Sequence, residues 1–104
     1  MVYLHVTCQV QRRKVPEWSA NYGKIILPLL EKHGQKLVGA WQNTIGTYDE
    51  VLDLYAFNSM GDMERVRKEL REDPDWIEYM KTSSSFVGLE VSKLMVPFPY
   101  SPLQ

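Results

Sequence analysis

Apolar and polar residues alternate from Val2 to Gln11, with Val2, Leu4, Val6, Cys8 and Val10 on one side and Tyr3, His5, Thr7, Gln9 and Gln11 on the other. This period of two predicts a strand with one face buried. After the basic corner Arg12-Arg13-Lys14 the period changes. Trp18, Tyr22, Ile25, Ile26, Leu29 and Leu30 recur at helical spacing, which predicts a helix from Pro16 to about His33. Pro16 suits a first helical position, where its missing N–H would be unpaired anyway. Pro28 and Gly23 lie inside the stripe, and an interior proline removes a backbone hydrogen bond, so a kink or break is expected there. Gly34 supplies the left-handed residue that closes the helix.

Two extended segments follow, 36–43 and 50–58, joined by Thr44-Ile45-Gly46-Thr47-Tyr48-Asp49, whose Gly and Asp suit a hairpin loop. Ser59 precedes Asp62 by three residues and caps a second helix carrying Met63, Val66 and Leu70 and running to Glu72. Asp73-Pro74 stops that helix and caps a further turn with Trp76, Ile77 and Met80. Thr82-Ser83-Ser84-Ser85 reads as a polar loop, and alternation returns from Val87 to Val96. The Pro-rich tail from Pro97 to Gln104 continues neither a helix nor a central strand.

The order strand, helix, strand, strand, helix, strand is the ferredoxin-like βαββαβ arrangement, an α+β sandwich with an antiparallel sheet and both helices on one face. One domain over residues 1–104 is expected, with 97–104 as its tail. In this topology the first and third strands are central neighbours. Their second faces are expected to bring Tyr3, His5 and Thr7 together with Val51, Asp53, Tyr55 and Phe57, flanked by Trp41 and Leu94. Such a face is too aromatic to stay solvated, and a second copy of the chain is its simplest cover.

Composition narrows the classes. Twelve Lys plus Arg against thirteen Asp plus Glu leave no basic field for nucleic acid or an anionic membrane. No apolar run reaches the roughly 20 residues of a membrane span. Cys8 is the single cysteine, which allows no intrachain disulfide framework, and Met1-Val2-Tyr3-Leu4-His5 lacks the features of a secretion signal. A cytoplasmic location is expected.

Candidate chemistry centres on His5 and Asp53. On one face of adjacent strands, a histidine oriented by a carboxylate is a potential general base. Tyr3, Trp41, Tyr55, Phe57 and Glu90 would then line a ligand site. The competing reading has His5 and Asp53 satisfying each other within a packed interface. The His, Cys and acidic residues match no metal-ligand spacing, so neither a metal nor another cofactor is expected. Arg65 pairs most simply with Glu69 at i,i+4, and His33 beside Gly34 reads as a helix-end residue facing carbonyls.

The run His33-Gly34, Lys36-Leu37-Val38-Gly39 and Trp41, then Gly46, Ser59, Arg65, Asp73-Pro74, Trp76 and Tyr79, together with the tail Pro99-Tyr100-Ser101-Pro102-Leu103, resembles the NIPSNAP family of the dimeric α/β-barrel superfamily. The resemblance covers nearly the whole chain. It implies a ferredoxin-like subunit and a homodimer around a central barrel. Tyr3, His5 and Thr7 stand where the family's first strand often reads Glu-x-Arg-x-Tyr. Val51-Leu52-Asp53-Leu54-Tyr55 stands where its third often reads Val-x-His-x-Trp. The expected function is binding of a hydrophobic or aromatic small molecule in the barrel interior. The alternatives are a cofactor-independent monooxygenase or isomerase acting on such a molecule, and a structural protein with a solid dimer interface.

Overall fold

In the computed structural model of the chain, residues 1–83 and 86–104 are described. Four strands, β1 (Val2–Val10), β2 (Lys36–Gln42), β3 (Glu50–Phe57) and β4 (Val87–Met95), form one sheet in the order β2-β3-β1-β4 with antiparallel neighbours. The ferredoxin-like order expected from periodicity is the one observed. Val2, Leu4, Val6, Cys8 and Val10 of β1 pack with Trp18, Ile26, Leu30, Val66 and Leu70 of the helices. The alternation in β1 is therefore a division between a helix-covered face and an open one.

The first helical segment resolves the proline conflict without breaking. Helix α1 (Val15–Asn21) passes through a π-helical turn, Tyr22–Ile26, into α2 (Leu27–His33). The Leu27 N–H reaches back five residues to the Tyr22 carbonyl. This wider turn lies immediately before Pro28, where an ordinary α-helical bond would have lacked its donor. Gly34, at φ 100°, ends α2, and the Gly34 and Gln35 amides donate to Glu31 and Leu30 carbonyls.

Ser59 Oγ accepts from the Asp62 amide at 3.0 Å and starts α3 (Met60–Glu72). Asp73 Oδ1 accepts from the Asp75 amide at 2.9 Å at the head of α4 (Pro74–Ser83). The segment read as a single further turn is thus a full helix. It includes Thr82 and Ser83, assigned to a polar loop on composition, while Ser84 and Ser85 of that loop lie outside the described residues.

The register corrects the expected open face. Val51, Asp53, Tyr55 and Phe57 stand opposite Cys8, Val6, Leu4 and Val2, so they face the helices. Tyr55 and Phe57 are buried core residues there. Tyr3, His5 and Thr7 instead stand opposite Ala56, Leu54 and Leu52. Glu90 and Leu94 pair with Cys8 and Leu4 and also lie on the helix side, whereas Leu89, Val91, Lys93 and Met95 lie on the open side. The reason is that β3 is apolar on both faces. Alternation in Val-Leu-Asp-Leu-Tyr-Ala-Phe defines two sets of side chains, and the set containing an aspartate looks like the less buried one.

Candidate functional site

The helix layer does not cover the sheet evenly. Gly88–Met95 of β4 is exposed, so the space between helices and sheet opens along this edge. The opening leads into a cavity of about 260 Å³. Its floor is Val6 and Cys8 of β1 with Asp53 and Tyr55 of β3. Trp18 of α1, Tyr22 of the π turn, and Trp76 and Tyr79 of α4 give it aromatic walls. Trp18 and Tyr22 stack with ring centroids 4.8 Å apart. Gln35, Arg67 of α3 and Glu90 on the β4 rim supply further polar groups.

The floor carries a carboxylate. Asp53 sits between Val6 and Ala40 on a central strand and is 5% exposed. Burial, and secondarily the charge of Glu90, push its carboxyl up to about 6. Tyr55, two residues along the same face, donates from its hydroxyl to Asp53 Oδ2 across a long 3.4 Å. Burial also raises the Tyr55 phenol, and it raises the Cys8 thiol to about 12, keeping both protonated at neutral pH. Gln35 is buried, and its Oε1 finds no hydrogen-bond donor among the described residues. Buried polar atoms without partners are rare in folded proteins, and Gln35 is one of the residues lining the cavity. The arrangement can hold an apolar ring between aromatic walls, accept hydrogen bonds from its polar end, and exchange a proton at Asp53 near neutral pH.

The expected His5–Asp53 pair does not form. His5 is on the open face and Asp53 on the helix face, because Asp53 is level with Val6 across the strands. Of the expected ligand residues, Tyr55 and Glu90 join Asp53 in the cleft. Phe57 is 1% exposed in the core. Tyr3 lies on the open face beneath the C-terminal tail, donating its hydroxyl to the Gln104 backbone oxygen at 3.0 Å. Trp41 is on that face too, its ring so close over Gly39 that a β-carbon there would overlap it.

Sequence reasoning missed the aromatic walls and Gln35. Trp18, Tyr22 and Trp76 read as core or anchor residues, and nothing in the spacing distinguishes a wall from a core contact. The expected Arg65–Glu69 pair forms at 3.0 Å, but sequence reasoning missed the charged cluster it belongs to at the α2–α3–α4 junction. His33 Nε2 lies 2.6 Å from Asp73 Oδ2 and its Nδ1 lies 3.4 Å from Glu69 Oε2, so the ring faces carboxylates and not helix-end carbonyls. Lys32 adds a 3.4 Å contact to Asp73, while Arg65 bridges Glu69 and Asp62 at 3.0 and 2.7 Å. The His33 bond, first, and the Asp75 amide hold the Asp73 carboxyl down at about 2. Among the described residues, no group of three or more His, Cys, Asp or Glu side chains is placed to hold a metal ion, and no helix is long and apolar enough to cross a membrane.

Comparison with known proteins is consistent with this architecture. The sequence model of the NIPSNAP family matches residues 3–102. A NIPSNAP family protein with unknown function from Agrobacterium tumefaciens superposes with a TM-score of 0.92 at 25% identity, covering 100% of this chain and 94% of that one. An uncharacterized NIPSNAP domain protein from Burkholderia xenovorans gives 0.91 at 24% identity, covering 98% and 99%. A putative antibiotic biosynthesis monooxygenase from Nitrosomonas europaea shares the fold at 0.69 and 10% identity, covering 93% and 98%. No curated protein matches the chain.

Proposed function

The chain belongs to the NIPSNAP family, and from that membership together with the geometry of the cleft we propose that it is a cytoplasmic small-molecule-binding protein. The ligand, a molecule with a flat apolar body, occupies the space between sheet and helices of each subunit. The observation that carries this reading is the coincidence of a buried carboxylate, an unpartnered buried amide oxygen and five aromatic side chains among the residues lining one cavity. A purely structural layer gains nothing from Asp53, since an apolar residue there would remove the desolvation penalty of a buried carboxylate. The position of Asp53, Tyr55 and Glu90 favours the cleft over the outer sheet face as the binding site.

The open face has a different part in the proposal. Trp41 and Val91 are exposed there together with Leu89 and Met95, and a second copy packed sheet to sheet would remove this apolar surface from water. Two such sheets enclose a barrel. The function is then exercised by a homodimer with one cleft per subunit.

A second reading has one specific observation in its favour. The Asp53 carboxyl at about 6 is matched to proton transfer near neutral pH, as a general base must be. In this reading the protein is an enzyme that removes a proton from its bound ligand, in line with a fold shared by a putative antibiotic biosynthesis monooxygenase.

Native mass spectrometry of the purified protein beside a denatured control tests the proposal. A dimer carrying a discrete, removable mass is the expected result. A dimer that carries no ligand and takes up none from a pool of small aromatic compounds contradicts the binding reading, and a monomer contradicts the dimer. Where a ligand is retained, turnover in the wild type that is lost in Asp53→Asn separates the enzyme from the binding protein.

A further inference from the structure

We propose that α4 is a gate to the cleft, pivoting about Asp73 so that Trp76 and Tyr79 swing aside to admit a ligand and close over it once it is bound. This rests on the reading of the cleft as a small-molecule site and adds how that site is entered. The cavity has two aromatic walls of unequal firmness. Trp18 and Tyr22 belong to the α1–π–α2 segment, which buries Val15, Trp18, Ile26, Leu29 and Leu30. Trp76 and Tyr79 belong to α4, the helix with no buried side chain among its described residues. Their rings are partly buried against the core, while Ile77 and Met80 are exposed. The neighbouring α3 buries Val66 and Leu70. A helix that removes so little apolar surface from water opens at small cost, before the rest of the fold does.

The junction of α3 and α4 is built as a pivot. A single residue, Asp73, separates the two helices. Its N–H donates to the Leu70 carbonyl in the last turn of α3, and its carbonyl accepts from the Ile77 N–H in the first turn of α4, at 3.1 and 3.0 Å. Pro74 keeps Asp73 extended, at φ −74° and ψ 121°, so the two helices cannot fuse into one. The Asp73 side chain is the latch. Its Oδ1 caps α4 through the Asp75 amide, and its Oδ2 ties the same point to the end of α2, through His33 Nε2 at 2.6 Å and Lys32 Nζ at 3.4 Å. The gate is thus fixed by charge at its head, and along its length it rests on the core through two rings that are also a wall of the cavity. A bound ligand with an apolar body gives those rings a partner and holds the helix closed.

Cys8, the single cysteine, is buried on the cavity floor and reports the gate without any ligand. Fluorescein maleimide is too bulky to enter the closed cavity, so its rate of reaction with Cys8 in the full-length protein follows the open population. Asp73→Asn keeps the cap, since Asn serves a helix N-terminus as well as Asp, and loses the charged tie to α2. It should label about tenfold faster than the wild type. That rate should stay flat in low urea, because a local opening exposes little surface. Hydrogen exchange of the wild type is the second measurement, with the amides of α4 expected to exchange about a hundredfold or more faster than those of α3. Millimolar 2-naphthol, a flat apolar probe, should slow both the labelling of Cys8 and the exchange of α4. Exchange of α4 as slow as that of α3, labelling no faster in Asp73→Asn or rising steeply with urea as global unfolding does, or protection of Cys8 by 2-naphthol without slowing of α4 overturns the inference and leaves the cleft reading in place. Protection of neither Cys8 nor α4 by 2-naphthol contradicts the cleft reading itself and the inference with it.

Discussion

Burying a carboxylate between Val6 and Ala40 disfavours its charged form, and the consequence is measurable as stability against pH. With the Asp53 carboxyl raised to about 6 in the folded chain and near 3.8 in the unfolded one, the folded state holds its proton more tightly. Below pH 4 the group is neutral in both states and destabilises nothing. As pH rises to about 6 the penalty grows, and above that it is complete at about 3 kcal/mol. Chemical denaturation of the wild type and Asp53→Asn across pH 4–8 should show the variant gaining on the wild type as pH rises; parallel curves would remove the buried charge from the account. Asp73 behaves in the opposite sense. Held down at about 2 by His33 and the Asp75 amide, it stabilises the fold fully above pH 4, and that contribution disappears as pH falls toward 2. Circular dichroism during acid titration should show Asp73→Asn less stable than the wild type at pH 6 and nearly equal to it at pH 2. Both residues were visible in the sequence, but their roles were not equally so. Asp73 before Pro74 announces a helix start. Asp53 was singled out as a candidate but assigned to the open face, and register places it level with Val6 on the helix side.

At the scale of the elements, the sequence was most legible where a local rule was obeyed. Ser59 three residues before Asp62, Gly34 after the Trp18–Leu30 stripe and the alternation of β1 each specify their element without help from elsewhere. Replacing Ser59 with Ala removes the bond to the Asp62 amide and should lower stability by about 1 kcal/mol. Leu70→Ala, at a position 1% exposed where α3 meets the sheet, should lower it by about 3 kcal/mol. Urea titration orders these variants, and a Leu70→Ala no weaker than Ser59→Ala would contradict the packing described. Legibility failed where two rules competed. Pro28 within an apolar stripe signals both a helix and a break, and the π turn from Tyr22 to Ile26 is the compromise. In β3, apolar residues on both faces left the choice of buried face to its pairing with β1, which is a tertiary matter.

The whole molecule is a slab, 39 × 37 × 20 Å, with a radius of gyration of 14.1 Å, where a compact chain of this length has about 13 Å. One layer of helices on one sheet leaves the opposite sheet face without a second layer, the C-terminal tail lying over Tyr3 near the start of β1, and that openness was legible from the topology alone. Which residues fill it was not, and the correction changes the test of the proposed dimer. A charge at Tyr55 or Phe57 would disrupt the core, whereas a charge at Leu54 or Val91 falls on the open face. Leu54→Glu and Val91→Glu should give folded monomers by light scattering, since association would bury an unpaired ion. Stable dimers of both would exclude this face. The cleft depends on the same asymmetry at the other side of the slab, where the helices stop short of β4. Asp53, Tyr55 and Glu90 of its lining were named from the sequence but on the wrong face, and Gln35 was not, because the cleft combines side chains from β1, β3, β4 and the segment after α2.

The central claim is that a ligand enters this cleft, and the most direct measurement is a two-dimensional amide and indole NMR spectrum recorded while a pool of small aromatic compounds is added. Shifts concentrated at Cys8, Gln35, Asp53, Tyr55 and the Trp18 and Trp76 indoles, with Trp41 and Val91 unmoved, are the result the account predicts. Shifts centred on Tyr3, Trp41 and Val91, or none at millimolar concentrations of the pool, would contradict it.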